Sequence, residues 1–130
     1  MKKLELEELN KITEAIIGAA IEVHRHLGPG LLESAYRECL RYELLQQEYV
    51  ALQEVSLPLT YKGLKLDCGY RLDLLVNDAV IVEVKSVSDL APIHEAQLLS
   101  YLKISGGKVS LMLNFNVKFL KHGGIKRLIN

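Results

Sequence analysis

The chain has 130 residues and equal numbers of basic and acidic side chains, 16 of each, so it lacks an overall positive field that would attract a polyanion. Its 49% hydrophobic and 25% charged residues are ordinary for a globular protein and exclude a disordered or fibrous chain. No apolar run approaches the roughly 20 residues of a transmembrane helix, and the amino terminus lacks the apolar segment of a signal peptide, which favours a cytoplasmic protein.

Two amphipathic helices are predicted first, within one domain that spans residues 1–130. Residues 5–27 place apolar side chains on one face at a period of 3.6 and end before Gly28-Pro29-Gly30. The side chains on that face are Leu9, Ile12, Ile16, Ala20, Val23 and Leu27. A second helix is expected over residues 31–47, with an apolar face formed by Leu32, Tyr36, Cys39, Leu40 and Leu44.

The hydrophobic period then changes to two, which predicts strands. Residues 54–62 form the first, where Pro58 indicates an edge position or a bulge, and Lys62-Gly63 turns the chain. Residues 70–76 and 80–85 form the second and third. The two cysteines fit no metal-ligand spacing, and we expect Cys39 and Cys68 to be buried, reduced thiols.

A third helix and a last core strand complete the predicted elements. The helix begins at the Ser88-Asp89 signal with Pro92, runs to about Ile104 and ends at Gly106-Gly107. Residues 109–115 form the fourth strand, and the tail predicts a short edge strand or a turn of helix. The order α-α-β-β-β-α-β indicates a mixed α/β fold with a largely antiparallel start.

Two registers are available to the hairpin between the second and third strands. A two-residue turn at Asn77-Asp78 would direct Glu83 away from Asp73. A three-residue connection pairs Val76 with Val80 instead and gathers the apolar rows of both strands on one buried face. Because a slip of one residue exposes a whole apolar row, we predict the second register, or a bulge with the same parity.

In this register Asp73 lies opposite Glu83, and Lys85 follows on the same face. Like charges directly opposite each other destabilise a sheet, so we expect a compensating group. A divalent cation, Mg²⁺ or Mn²⁺, would compensate the two carboxylates, whose oxygens suit such ions. A solvated ladder in which Asp73 pairs with Lys85 and Glu83 with Arg71 is the alternative, and these residues alone leave both open.

Three more polar residues are predicted near this pair. Glu33 lies at the edge of the second helix's apolar face, as a third acidic group or as a carboxylate favoured by the helix dipole. Gln97 and Tyr101 lie on the same side of the third helix as His94. They would bind a phosphate or orient the lysine, or they would simply form a solvated polar edge of the helix. His24 is expected to be a satisfied histidine at the edge of the core.

The order of these motifs resembles a known family. Residues 30–36 read G-x-x-E-x-x-Y, and together with Asp73, Glu83-Val84-Lys85 and Gln97…Tyr101 they resemble the GxxExxY family of the PD-(D/E)XK nuclease superfamily. The resemblance covers nearly the whole chain and departs from the motif at Leu72, where a proline is common. It implies a restriction-endonuclease-like fold, a mixed central sheet flanked by helices, and this agrees with the predicted element order.

The resemblance also implies roles for individual residues. Metal ligands would be Asp73, Glu83, the Val84 carbonyl and Glu33; the catalytic lysine would be Lys85; and Gln97 and Tyr101 would contact the substrate. The implied cofactor is Mg²⁺ or Mn²⁺, and the implied partner is nucleic acid, either DNA or RNA.

The leading hypothesis is therefore metal-dependent hydrolysis of phosphodiester bonds in nucleic acid. The alternative is a non-catalytic nucleic-acid-binding or regulatory module, because fold does not fix function and the neutral chain has few loops long enough to wrap a duplex. A second copy of the chain or a partner subunit would then complete the binding surface. In a third hypothesis the polar row is only a ladder of salt bridges.

Overall fold

Three helices and seven strands make up the computed structural model, which describes residues 1–130. They are α1 (Leu6–Leu27), α2 (Glu33–Gln46), β1 (Ala51–Ser56), β2 (Leu59–Tyr61), β3 (Leu64–Leu66), β4 (Arg71–Val76), β5 (Val80–Lys85), α3 (Pro92–Ser105), β6 (Val109–Asn114) and β7 (Ile125–Ile129). The central sheet has the order β1-β4-β5-β6-β7, and β2 and β3 form a separate hairpin. Only β5 and β6 run parallel, so the sheet is mixed, as predicted.

A hydrophobic core covers each face of the sheet. The larger one contains side chains of α1 and α2, such as Ile16 and Leu40, packed against Val82 of β5. The smaller one contains Leu98 of α3 packed with Ile81 of β5. All six residues of β6 are buried, because helices cover both of its sides. The predicted arrangement of helices on a mixed sheet is therefore confirmed.

The predicted three-residue register of the β4–β5 hairpin is confirmed. Val76 pairs with Val80, and Leu74 pairs with Val82. Asn77 and Asp78 have φ angles of 50° and 52°, as a type I′ turn requires, and the main-chain N–H of Ala79 donates to the Val76 carbonyl at 3.0 Å. Ala79 is the extra residue that sets the register. Leu72 departs from the prediction, because it packs in the core on the α3 side.

Several predicted boundaries were wrong. α2 begins at Glu33 rather than at residue 31, so Leu32 lies outside the helix and is 77% exposed. α3 begins at Pro92 rather than at residue 88, since proline fits a first helical turn and disfavours helix before it. The expected strand over residues 54–62 is broken at Leu57-Pro58, and the β2–β3 hairpin that follows was not predicted as a hairpin.

Two residues expected to be buried are exposed. Leu27 lies at the last turn of α1 and is 38% exposed. Cys68 is exposed in the connection between β3 and β4, whereas Cys39 is half-buried, and both thiols are unpaired. The predicted edge strand in the tail is confirmed as β7. None of the three helices combines the length and the apolar character needed to cross a bilayer.

Gly124 is the tightest backbone position between β6 and β7. A Cβ atom there would lie 2.8 Å from the Leu120 carbonyl oxygen and 2.9 Å from that of Asn114. We expect Gly124→Ala to lower the free energy of unfolding by about 1–3 kcal/mol, measured by urea denaturation. Gly18→Ala is the control: it lies within α1 with no atom within 4 Å of the new Cβ, so it should raise stability by about 0.5–1 kcal/mol. Equal effects of the two changes would contradict the expectation.

Candidate active site

Asp73 and Glu83 lie opposite each other on β4 and β5, one position beyond the Leu74–Val82 pair. Glu83 is only 7% exposed, and Asp73 is half-buried. The main-chain N–H of Val84 donates to Oδ2 of Asp73 at 2.8 Å. The main-chain N–H of Asp73 donates a longer bond, 3.4 Å, to Oε1 of Glu83. Main-chain donors therefore hold both carboxyl groups between the two strands.

Regular backbone pairing is interrupted at these residues. The β4–β5 ladder ends at Leu74–Val82, and the β1–β4 ladder omits the opposed residues Glu54 and Asp73. Glu54 has a φ of 54°, in the left-handed region that glutamate rarely adopts. Its carboxylate forms an ion pair of 2.7 Å with Arg37 on α2. Residues with a strained backbone tend to occur at functional sites, where the surrounding structure holds them in place. Glu54 lies directly opposite Asp73.

No cation in the chain neutralises the carboxyl pair. Burial, followed by the charge of Asp73, raises the pKa of Glu83 to about 9. The raised pKa favours the protonated form of Glu83 at neutral pH. Neither carboxylate forms an ion pair, since Arg71 donates to Ser56 Oγ and the Tyr70 carbonyl. The alternative ladder of salt bridges is absent from the structure.

Lys85 ends β5, and the residue beside it on β6 fixes the chain that follows. The Lys85 carbonyl accepts a hydrogen bond of 2.9 Å from the Phe115 N–H. Asn114, 2% exposed, accepts from the Val87 N–H at 3.1 Å and donates to the Val87 carbonyl at 3.0 Å. The sequence pattern gave Asn114 no role. The clue in the sequence was an amide side chain in a largely apolar strand, because a buried amide requires hydrogen-bond partners.

Glu33 approaches the end of β5 from α2, which lies on the other face of the sheet from α3. Its Oε2 accepts from the Ser86 N–H at 3.1 Å, and Ser86 Oγ donates to the Leu31 carbonyl at 2.7 Å. The exposed Glu33 side chain lines a cavity of about 460 Å³ together with Arg37 and Ser86. No group of three or more acidic, histidine or cysteine side chains is positioned to hold a metal, and Glu33 is engaged by Ser86 at the end of β5.

The tyrosine of the G-x-x-E-x-x-Y motif is structural. Tyr36 is fully buried, and its ring stacks on Phe115 with centroids 4.4 Å apart. Its hydroxyl donates to the Gly28 carbonyl and accepts from the Leu31 N–H at 3.2 Å. Tyr36 therefore closes the α1–α2 connection and places Glu33 at the end of β5.

Tyr101 is the predicted α3 residue that packs against the sheet on the face of Ile81 and beside Tyr70. It is 7% exposed, and burial, followed by the charge of Glu83, raises its pKa. Gln97 is exposed, and it lines a cavity of about 550 Å³ that also includes Tyr101 and Tyr70. His94 lines the same cavity, but its Nδ1 accepts from the Ala91 N–H at 3.1 Å and so caps the helix. Tyr101 is thus buried within range of the charge of Glu83, and Gln97 lies at the rim of this cavity.

The donor set fits a hard divalent cation. Two carboxylates lacking a basic partner are the ligands that such cations prefer. Because alternate peptide groups of a strand face opposite neighbours, the Val84 carbonyl faces β4, as does the Val84 N–H that binds Asp73. The pKa of Glu83 is raised by burial and then by the charge of Asp73, and a cation would offset both effects. The pair and the Val84 carbonyl thus converge from two adjacent strands.

Comparison with protein families matches residues 10–128 to the PD-(D/E)XK nuclease superfamily. The chain belongs to this superfamily. The match runs from α1 into β7 and so includes the whole mixed sheet and both helical layers. Searches of curated proteins and of solved structures gave no match. The superfamily is generally one of nucleases that use divalent metals, and Asp73 with Glu83-Val84-Lys85 supplies the residue types of its motif.

The protonated Glu83 should make the stability of the metal-free protein depend on pH. Its pKa is about 9 in the folded chain, against an ordinary value of 4.5, so the stabilisation is fully present below about pH 4.5 and is lost as the pH rises through about 9. Urea denaturation in a chelator should show this decline between pH 5 and 10. Glu83→Gln should flatten the profile, whereas Glu14→Gln, an exposed change in α1, should leave it unaltered. An identical slope in wild type and Glu83→Gln would contradict the assignment.

Proposed function

We propose that the protein is a metal-dependent nuclease that hydrolyses phosphodiester bonds in nucleic acid, and that it belongs to the GxxExxY group of its superfamily. The observation that carries the proposal is the Asp73–Glu83 pair, which lacks an ion-pair partner: Glu83 is buried and lies on β5, the strand that ends in Lys85. Residues 1–130 would then form one catalytic domain. The unpaired cysteines support a cytoplasmic location.

Asp73, Glu83 and the Val84 carbonyl would hold the cation, Mg²⁺ or Mn²⁺. Bound there, it would supply Lewis-acid chemistry at a phosphoryl oxygen and acidify an attacking water. Glu83 must first lose the proton that its raised pKa retains, so we expect binding to strengthen as the pH rises. The Val84 N–H stays on the Asp73 carboxylate and fixes its direction.

Lys85 would act on the scissile phosphate. It lies two residues beyond Glu83, on the same face of the sheet by strand alternation. A fixed ammonium at this point stabilises the negative charge that develops during hydrolysis and positions the attacking water. The hydrogen bonds of Asn114 to Val87 and of Ser86 to Leu31 hold the chain directly after it.

The helices would supply the remaining contacts. Tyr101 is placed to donate a hydrogen bond toward the carboxyl pair or a phosphate, and Gln97 would bind the substrate at the rim of the shared cavity. Glu33 would act as an outer acidic group, and its hydrogen bond to Ser86 N–H orients the end of β5. We assign Glu33 this positioning role in addition to the metal contact implied by its family motif.

A non-catalytic nucleic-acid-binding or regulatory module is the second candidate. The observation in its favour is that Glu33 is engaged by Ser86 and leaves two carboxylates, not three, in the group. Such a module would work with a second copy or a partner subunit and would bind nucleic acid without cleaving it. Cleavage assays on lysine variants separate the two candidates.

Lys85→Ala should abolish cleavage while the fold persists. Loss of one group that stabilises transition-state charge costs about 10²–10³-fold in rate. We expect this loss with labelled single- and double-stranded DNA and RNA in Mg²⁺ or Mn²⁺, and an unchanged far-ultraviolet circular dichroism spectrum. Lys103→Ala, an exposed lysine on α3, is the matched control and should cleave as wild type does. Wild-type cleavage by Lys85→Ala would refute the proposed mechanism.

Divalent cation should raise the melting temperature through the carboxyl pair. At a concentration ten times its dissociation constant, a ligand of the folded state adds about 1.4 kcal/mol, which is a shift of roughly 3–6 °C for a domain of this size. We expect the shift in wild type at pH 8 with Mn²⁺ or Mg²⁺, and its loss in Asp73→Asn and Glu83→Gln. Glu14→Gln should retain it. A shift that survives in both site variants would place the cation elsewhere.

A further inference from the structure

Charge is segregated along this neutral chain. All 16 acidic residues precede residue 96, together with ten of the 16 basic ones, so residues 1–95 have a formal charge of −6 and residues 96–130 have +6. An asymmetry of this kind within a neutral chain indicates a local polyanion-binding surface. The candidate active site lies in the acidic part and would repel a polyanion unless a nearby surface attracts it.

Such a surface lies in the connection between β6 and β7, residues 117–124. Lys118, Lys121 and His122 of this connection line a cavity of about 490 Å³ together with Arg25 at the end of α1. Arg25 is bound to Glu22, but Lys118 and Lys121 form no ion pair, so their charge is available to a ligand. We call Lys118, Phe119, Lys121 and His122 the basic loop.

An aromatic ring stands among these cations. Phe119 is 58% exposed, while its neighbour Leu120 is 3% exposed in the core. The Lys118 ammonium lies over the ring at 5.5 Å from its centroid, and His122 meets the ring edge-on at 6.1 Å. The ring remains more than half exposed beside these two side chains. Aromatic rings beside cations are the stacking platforms on which proteins hold unpaired bases.

The backbone of the basic loop is fixed, so the surface exists before a ligand binds. His24 Nε2 donates to the Val117 carbonyl at 2.8 Å, as expected of a satisfied histidine at the edge of the core. The His122 N–H donates to the Phe119 carbonyl at 3.0 Å, and the Gly124 N–H to the Leu120 carbonyl at 3.1 Å. A preorganised loop loses little conformational entropy on binding.

The basic loop and Lys85 lie at the same edge of the sheet. The Phe115 N–H bonds the Lys85 carbonyl, and only two residues lie between Phe115 and Lys118, which is about 11 Å of extended chain at most. Phe115 stacks on Tyr36, whose hydroxyl bonds Gly28, and Gly28 lines the same cavity as the basic loop, so this cavity lies on the α1–α2 side of the edge. Lys85 alternates with Val84 onto the α3 side, so a strand of substrate at Lys85 would pass over this edge of the sheet to meet the basic loop.

We infer that the basic loop binds a single-stranded segment of the nucleic-acid substrate, with Lys118 and Lys121 on phosphates and Phe119 stacked on an unpaired base. This inference rests on the proposed nuclease function for its substrate class. Two other surfaces serve as controls. The cavity lined by Lys3 and Lys108 contains the Ala79 turn, at the opposite end of the β4–β5 hairpin from Asp73 and Glu83. Tyr61 is also 58% exposed, and its ring centroid lies 5.4 Å from the Lys62 ammonium.

The test is fluorescence anisotropy with labelled 20-nucleotide single-stranded DNA, single-stranded RNA and duplex DNA, in chelator so that no cleavage occurs. Lys118→Gln with Lys121→Gln should weaken single-strand binding by about ten-fold and lower the salt slope by about 1.4. Phe119→Ala should weaken single-strand binding by about five-fold or more and spare the duplex. Lys3→Gln with Lys108→Gln, and Tyr61→Ala, should bind as wild type does. Whichever single strand the protein binds more tightly, DNA or RNA, indicates the class of the substrate.

Wild-type affinity in the basic-loop variants, equal losses in the control variants, or no binding of either single strand would overturn the inference. Cleavage assays with the same proteins in Mn²⁺ test the proposed nuclease function separately. If Lys85→Ala alone loses cleavage while the basic-loop variants bind normally, the nuclease stands and the inference fails. If the basic-loop variants lose binding and no protein cleaves, the inference stands and the nuclease fails.

Discussion

Two carboxyl groups held opposite each other, largely out of water and without a basic partner, are the constraint on which the rest of this structure depends. Desolvation and mutual repulsion both penalise a second negative charge, so the raised pKa of Glu83 keeps a proton on it well above neutral pH. The strands adapt to the pair. Regular pairing stops beside it, Glu54 takes a left-handed conformation, and main-chain N–H groups turn to the carboxylates. A cation would relieve the same repulsion from outside the chain.

The parallel pairing of β5 with β6 gathers the other functional parts at one edge. Residues after Lys85 are bonded to Glu33 from α2 and to Asn114 from β6. Tyr36 and Phe115 stack beneath this edge and join it to the end of α1. Ligands in α/β sheets generally bind at the carboxyl ends of strands, because connections diverge there and leave a crevice. Positioning and packing are therefore achieved by the same few residues.

The chain is neutral overall, but its acidic and basic residues are segregated along the sequence. An acidic site suits a cation, but it repels a nucleic acid, and long-range attraction cannot come from a chain of zero net charge. Two lysines in the connection between β6 and β7, at the same edge of the sheet as Lys85, would separate the two requirements. In the inferred binding mode this short connection, with its exposed ring, attracts phosphates without neutralising the carboxylates.

The sequence alone determined the helices, the mixed sheet and the pairing of β4 with β5, through hydrophobic periodicity, turn residues and one argument about register. The apolar rows of β4 and β5 fixed their pairing, because any other register would have exposed a row of valines and leucines, and this placed Asp73 opposite Glu83. The helices and the mixed sheet followed from period and order. Boundaries at Pro58 and Pro92 were misjudged, because the local effect of each proline, which interrupts a strand or begins a helix, outweighed the pattern of the residues around it.

Only the tertiary structure decided which polar side chains meet. Glu33, Gln97 and Tyr101 were all predicted near the pair, yet Glu33 binds Ser86 from α2, Gln97 stays at the rim of a cavity and Tyr101 is the one that is buried against the sheet, where the charge of Glu83 contributes to its raised pKa. Helical periodicity gives the face on which a side chain lies, but the docking of the helix sets its depth and its direction. Burial of Glu83, the left-handed Glu54 and the bonds of Asn114 likewise arise from contacts between residues distant in the chain, which no local pattern contains.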